Sequence, residues 1–237
     1  MRHRYLVLGV VALAAIGCPE IDDPHAPDRS TFDITSLTAA DTAFADGASL
    51  VQISATVPPN APASRRTVAF FTNLGTFTPG ATASSSTALA NSTGQAVVEL
   101  QAPREPGTAF VQASNGGAVQ ARNIRFVRAL PDRIDLDADS FAAKADPAQT
   151  ITIRALLRRL VGFTSARDTV AFTAVDTLGK SMGFLGAATP SDDTGLVTVR
   201  YSPGKTDYRG LVVVTGTTAK SGGGTVYGRL TISVTNP

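Results

Sequence analysis

Asp135, Asp137 and Asp139 alternate along the stretch 135–140, and Asp146 follows where a helix–loop–helix calcium site places its last carboxylate. Clustered carboxylate oxygens of this kind suit a hard divalent cation. The stretch departs from that chemistry by lacking the turn glycine, by offering Asp146 where a bidentate glutamate is wanted, and by having no helical pattern on either side. As a β-strand, the same alternation turns the three aspartates to water and Ile134, Leu136 and Ala138 inward. The four aspartates are therefore weak metal candidates, and no metal or other cofactor is expected. Nucleophilic chemistry fares no better. The two histidines, His3 and His25, both precede residue 32, so the rest of the chain offers no Ser-His-Asp set and no histidine metal site. Lys144, Lys180, Lys205 and Lys220 sit in no motif that would make a Ser-Lys dyad. Gly222-Gly223-Gly224 has no strand-to-helix context for a phosphate cradle and reads as a hairpin tip. The expectation is a chain that is not an enzyme.

Cys18 is the only cysteine, so no disulfide can form within the chain. Arg2 and Arg4 precede an apolar run at 5–16, which Gly17 and Cys18 close; this is the layout of a secretory signal. Twelve residues in a helix reach about 18 Å, short of the roughly 30 Å hydrocarbon core, so the run reads as a signal peptide at 1–17 rather than a membrane span. Ala15-Ile16-Gly17-Cys18 resembles the bacterial lipobox, with Ala15 in the place where leucine is usual. The resemblance implies that Cys18 receives diacylglycerol and becomes the mature N-terminus, and two acyl chains hold a protein stably to a membrane. The alternative is an ordinary secretory signal cleaved near Gly17, leaving a free thiol at Cys18. Pro19, rather than aspartate, follows the cysteine, which points to the outer membrane or cell surface in preference to the inner membrane.

Residues 18–31 combine Pro19, Pro24 and Pro27 with Glu20, Asp22, Asp23 and Asp28 and carry no hydrophobic periodicity, so they read as a tether. Without Arg2 and Arg4 the remaining chain has 19 Lys+Arg against 19 Asp+Glu. A neutral chain with no basic run offers no electrostatic footprint for nucleic acid. Arg158-Arg159 is the one local basic spot and is expected to be solvated surface.

The rest alternates apolar and polar residues with a period of two, clearest at 50–57, 95–100 and 151–155. Residues 155–161 are read as strand end plus loop, and Ser84-Ser85-Ser86-Thr87 and Asn91-Ser92-Thr93 as flexible loop. A direct repeat organises the whole. Thr67-Val68-Ala69-Phe70 recurs as Thr169-Val170-Ala171-Phe172, and Thr93-Gly94-Gln95-Ala96-Val97-Val98 as Thr194-Gly195-Leu196-Val197-Thr198-Val199, each about 100 residues on. About seven short strands in about 100 residues suit an immunoglobulin-like sandwich. The expected architecture is all-β, with sandwiches at 32–128 and 129–237 joined by a short linker at 128–132 that limits bending.

The first copy resembles the bacterial immunoglobulin-like domains of the invasin and intimin type (Big-1). The resemblance rests on Ala45-Asp46-Gly47, Thr67-Val68-Ala69-Phe70, Gly75-Thr76-Phe77, Ser92-Thr93-Gly94-Gln95-Ala96, Gly107, Val111 and Ala113, and covers about 32–127. Gly47 and Gly94 fall where corners need positive φ, and Phe70 and Phe77 would plug the core. The second copy departs from the pattern, with Ala145-Asp146-Pro147 at the first turn and a looser stretch at 179–185. Domains of this family act as spacers or adhesive modules on cell surfaces. Known adhesins of the type also carry an outer-membrane barrel or a lectin-like tip, and neither is evident in this sequence. The expectation is a lipid-anchored envelope protein that spaces or presents, or alternatively an adhesive module that binds a surface protein or glycan through loops or an edge strand. Exposed Tyr201, Tyr208 and Tyr227 gathered on one face would favour glycan.

Overall fold

A computed structural model describes residues 33–77 and 83–236. The expected signal peptide, the lipid-attachment residue Cys18 and the tether at 18–31 lie outside the described residues. No helix among the described residues is long and apolar enough to cross a membrane.

Alternation of side chains builds the first sandwich. Its strands are β1 (Ser36–Thr38), β2 (Thr42–Ala45), β3 (Leu50–Thr56), β4 (Thr67–Thr72), β5 (Ser85–Leu89), β6 (Gln95–Gln101), β7 (Gly107–Ser114) and β8 (Val119–Arg128), with one short helix, α1 (Ala63–Arg66). Sheet order is β1-β3-β6 facing β2-β8-β7-β4-β5. Val51, Ile53 and Ala55 on β3 and Val68 and Phe70 on β4 point into one buried cluster with Leu100, Val111, Ile124 and Phe126. Each large side chain removed from water there stabilises by about 1.5–3 kcal/mol. Phe70 and Phe77 do plug this core, their ring centroids 6.3 Å apart.

The second sandwich consists of β9 (Arg133–Ala138), β10 (Ala142–Lys144), β11 (Ile151–Arg158), β12 (Ala171–Asp176), β13 (Phe184–Leu185), β14 (Leu196–Ser202), β15 (Gly210–Ala219) and β16 (Thr225–Thr235). Its sheets run β13-β14-β11-β9 and β10-β16-β15-β12. Strand β11 ends at Arg158 and gives way to loop, as the sequence suggests. The fold is thus all-β, two immunoglobulin-like sandwiches in tandem.

The direct repeat has a physical counterpart in its turns. The Asn91 side-chain oxygen accepts from the Thr93 amide, the Thr93 hydroxyl and the Gln95 amide. One repeat later, the Asp192 carboxylate accepts from the Thr194 amide, the Thr194 hydroxyl and the Leu196 amide. Gly94 and Gly195 follow with φ of 83° and 84°, the left-handed conformation that closes each turn. These bonds correct the reading of Asn91-Ser92-Thr93 as flexible loop: the side chain of Asn91 ties the turn internally.

Ser85, Ser86 and Thr87 are corrected as well. They form the edge strand β5, in register with Phe71 through Ala69 of β4. Small hydroxyl side chains on an outer strand leave no apolar alternation to read, and the ladder to β4 supplies what the pattern lacks.

The two copies differ in one step. After β4 the chain stays in its sheet as β5, whereas after β12 it crosses to the facing sheet and pairs with β14 as β13. Gly183, at φ 74°, permits that crossing, because a Cβ there would lie 2.8 Å from the buried Tyr201 ring. This is the physical content of the looser stretch at 179–185.

Candidate functional site

The carboxylates singled out by spacing do not converge. Asp135 pairs with Arg133 at 2.9 Å and with Arg158 at 2.8 Å, the latter from the neighbouring strand β11. Asp137 lies opposite Arg154 in the β9–β11 register. Asp139 accepts from the Thr152 amide at 3.0 Å, and Asp146 from the Ala148 amide at 2.8 Å. Asp135, Asp139 and Asp146 are each spent on a strand neighbour or turn, and Asp137 is exposed to solvent. Among the described residues no group of three or more His, Cys, Asp or Glu is placed to hold a metal ion.

The tyrosines do not gather on one face either. Tyr201 is fully buried, and burial, with a smaller push from Tyr208, raises its phenol to about 12. Tyr208 donates its hydroxyl to the Leu211 carbonyl at 2.9 Å, and Tyr227 stands exposed beside Arg229. The alternation at 196–202 puts Tyr201 in phase with Val197 and Val199, so its inward direction was available from the sequence.

The structure concentrates its unusual polar chemistry instead where the two sandwiches meet. One side of this joint is Phe44 and Ala45 at the end of β2 with Asp46 just after it, Arg104 and Glu105 in the β6–β7 connection, and the linker at 128–130. The other side is the loop 159–168 after β11. Ser165, completely buried, is the pin: its hydroxyl donates to the Ala45 carbonyl at 2.8 Å and accepts from the Ala129 amide at 2.9 Å. Its amide donates to the Ala129 carbonyl at 2.9 Å. Beside it, the Ala166 amide donates to the Arg104 carbonyl and the Phe163 amide to the Asp46 carbonyl. Gly162, at φ 70°, lies so close to Asp46 that a Cβ would approach the carboxylate oxygen to 2.7 Å. No larger residue fits there unshifted.

Charge follows the same seam. Arg128 of the linker pairs with Asp168 at 2.7 Å, and the Asp168 side chain is 3% exposed. Burial raises the Asp168 carboxyl above its ordinary 3.8, with Arg128 pulling against it. Asp46 behaves oppositely. Burial opposes its ionisation, but hydrogen bonds from the Ser49 hydroxyl and amide and the Ala48 amide, with the charge of Arg159, outweigh that and hold it below 3.8. The Arg104 guanidinium stacks over the Phe163 ring at 4.7 Å, and Arg159 over Phe44 at 5.0 Å. Arg159 also donates to the Leu130 carbonyl at 2.7 Å. Arg158 keeps its expected exposed place, but Arg159 is part of the joint rather than solvated surface. Sequence reasoning missed Arg159, Ser165 and Asp168; the nearest signal was the shortness of the linker, which predicted close stacking without saying through which side chains.

No protein-family model matches the chain, and no curated protein matches it either. Solved structures do. The crystal structure of invasin, titled a bacterial integrin-binding protein, aligns with 86% of this chain at 24% identity and a TM-score of 0.60. The Yersinia pseudotuberculosis adhesin InvE aligns with 85% at 17% identity and a TM-score of 0.51. The alignments span 40% and 60% of those chains. At these identities the likeness establishes the fold, a tandem of immunoglobulin-like sandwiches similar to those of bacterial adhesins.

Proposed function

We propose that the chain is a non-enzymatic module of the cell envelope, anchored through lipidated Cys18 and built to hold two sandwiches at a fixed mutual angle as a spacer or interaction platform. The observation that carries this reading is the joint. A flexible linker needs no buried serine bridging two backbones, and Ser165, Arg128–Asp168 and the stacked arginines cost side-chain freedom that only a fixed geometry recovers. The likeness to invasin and InvE supports the same class of role. The buried carboxylate of this seam, Asp168, is paired with arginine rather than lysine.

The test is intact mass and fractionation of the wild-type chain and Cys18→Ala in a bacterial host. A diacyl or triacyl mass increment with membrane pelleting, both lost in Cys18→Ala, is the expected result. Unmodified mass and a soluble protein in both overturns the anchor.

A second reading, an adhesive module that recognises a surface protein or glycan, is favoured by β12. This strand closes its sheet, and only its C-terminal half is covered, by the Met182 amide on Ala174 and the Lys180 carbonyl on Asp176. Its counterpart β4 is flanked by β5. An open strand edge accepts an added strand.

A further inference from the structure

The loop that makes the joint also displays apolar side chains for which the joint has no use. Leu160 is 90% exposed and its neighbour Val161 is 76% exposed. Single exposed aliphatics are ordinary, but two adjacent ones on a braced loop are not. The bracing is specific. The Leu160 amide donates to Asp132 at 2.9 Å, the Arg159 side chain to the Val161 carbonyl at 3.2 Å, and the Phe163 amide to the Asp46 carbonyl. Fixed this way, the backbone keeps both side chains out in water.

A groove of about 590 Å³ runs alongside, lined by Asp132, Arg133, Arg158, Arg159, Leu160 and Lys220. Four cations face one carboxylate there, and Asp135, which braces Arg133 and Arg158, adds a second negative charge. The cations come from β9, the end of β11 and the tip of the β15–β16 hairpin, and they converge on an apolar prong. Lys220 has no ion pair among the described residues.

We infer that the 159–163 loop is a peripheral docking site for an anionic lipid bilayer, with Leu160 and Val161 entering the headgroup region and Arg133, Arg158 and Lys220 meeting lipid phosphates, while Arg159 stays in the joint and adds its charge from behind the loop. The combination selects this occupant. An acidic polysaccharide would satisfy the cations and leave Leu160 and Val161 in water, and an apolar protein groove would leave the cations desolvated. Apolar side chains reaching about 5–10 Å into the interface, with a surrounding cationic collar, match the layered polarity of a bilayer surface.

The experiment uses the full chain carrying Cys18→Ala and Leu160→Cys, with a polarity-sensitive dye on the new thiol, mixed with phosphatidylglycerol-containing or purely phosphatidylcholine vesicles. The dye reports the loop itself, so partitioning of the N-terminal apolar run does not mimic the signal. The expected result is a blue shift with quenching by brominated lipid on anionic vesicles alone, reversed by high salt. The same dye placed through Leu178→Cys, a position 92% exposed outside this groove, is expected to stay silent. Lys220→Glu changes the local charge by two and is expected to weaken the lipid dependence on the order of 25-fold, from about five-fold per charge. A silent dye at 160, an equal response to both vesicle types, an equal response at 178, or insensitivity to Lys220→Glu overturns the proposal.

Discussion

Asp46 and Asp168 face each other's consequences across a single seam, and their carboxyls are displaced in opposite directions. A carboxyl held below its unfolded value stabilises the fold above that value and loses its contribution as pH falls through the folded value. One raised by burial does the reverse: its ionisation opposes folding, and acid relieves it. Acidification below about pH 4 therefore weakens what the Asp46 carboxylate holds, the turn at Ala48 and Ser49, while easing the burial of Asp168. The expected outcome is that Asp46→Asn flattens the acid limb of a stability-versus-pH curve and Asp168→Asn steepens it, read by denaturant melts from pH 3 to pH 7. Parallel curves for both variants and wild type would show that neither carboxyl is coupled to folding. Ser165→Ala belongs to the same seam. It abandons the Ala45 carbonyl and the Ala129 amide together, and is expected to destabilise by about 1–3 kcal/mol.

At the scale of elements, the sequence carries the strands whose two faces differ in polarity and loses those whose faces do not. Strands β3, β6 and β11 alternate over most of their length, with only short apolar runs at Leu50-Val51, Ala96-Val97-Val98 and Ala155-Leu156-Leu157, so they are readable; the serine-rich β5 and the two-residue β13 give no such signal. Turns were legible where a glycine must take positive φ, and not where a side chain such as Asn91 ties the turn. Gly94 is the clearest case: a Cβ there would meet the Val57 carbonyl oxygen at 2.1 Å, and its φ is 83°. Gly222, at φ 80°, has open space around it. Gly94→Ala and Gly222→Ala thus share the left-handed penalty of about 1–2 kcal/mol, and only Gly94→Ala adds a backbone collision. Thermal melts are expected to rank Gly94→Ala well below Gly222→Ala. Equal losses would mean that the close approach to Val57 relaxes without cost. The candidate site was less legible than the fold because its residues are spread over 44–46, 104–105, 128–130 and 159–168, and each segment by itself reads as an ordinary loop or strand end. Only folding brings them together.

At the scale of the molecule, the question is whether two sandwiches joined by so short a linker behave as one body. Covalent shortness limits the reach between domains but leaves bend and twist free, so the fixed angle must come from the side chains of the seam. Ser165 pins backbones from both sides, and Arg128–Asp168 locks the linker to the second sandwich. Abandoning a buried charge costs about 3–5 kcal/mol, but Asp168 can take up a proton when Arg128 is removed, so that range is a ceiling. The joint should accordingly loosen before either sandwich unfolds, since each retains its own buried cluster. Spin labels placed through Thr87→Cys in the first sandwich and Leu178→Cys in the second, in a Cys18→Ala chain, are expected to give one narrow distance distribution. Adding Arg128→Ala and Ser165→Ala is expected to broaden it while the far-ultraviolet spectrum of the sheets stays unchanged. A distribution that is broad before those substitutions, or unmoved by them, would assign the stiffness to something other than the seam, and with it the spacer role would lose its physical basis.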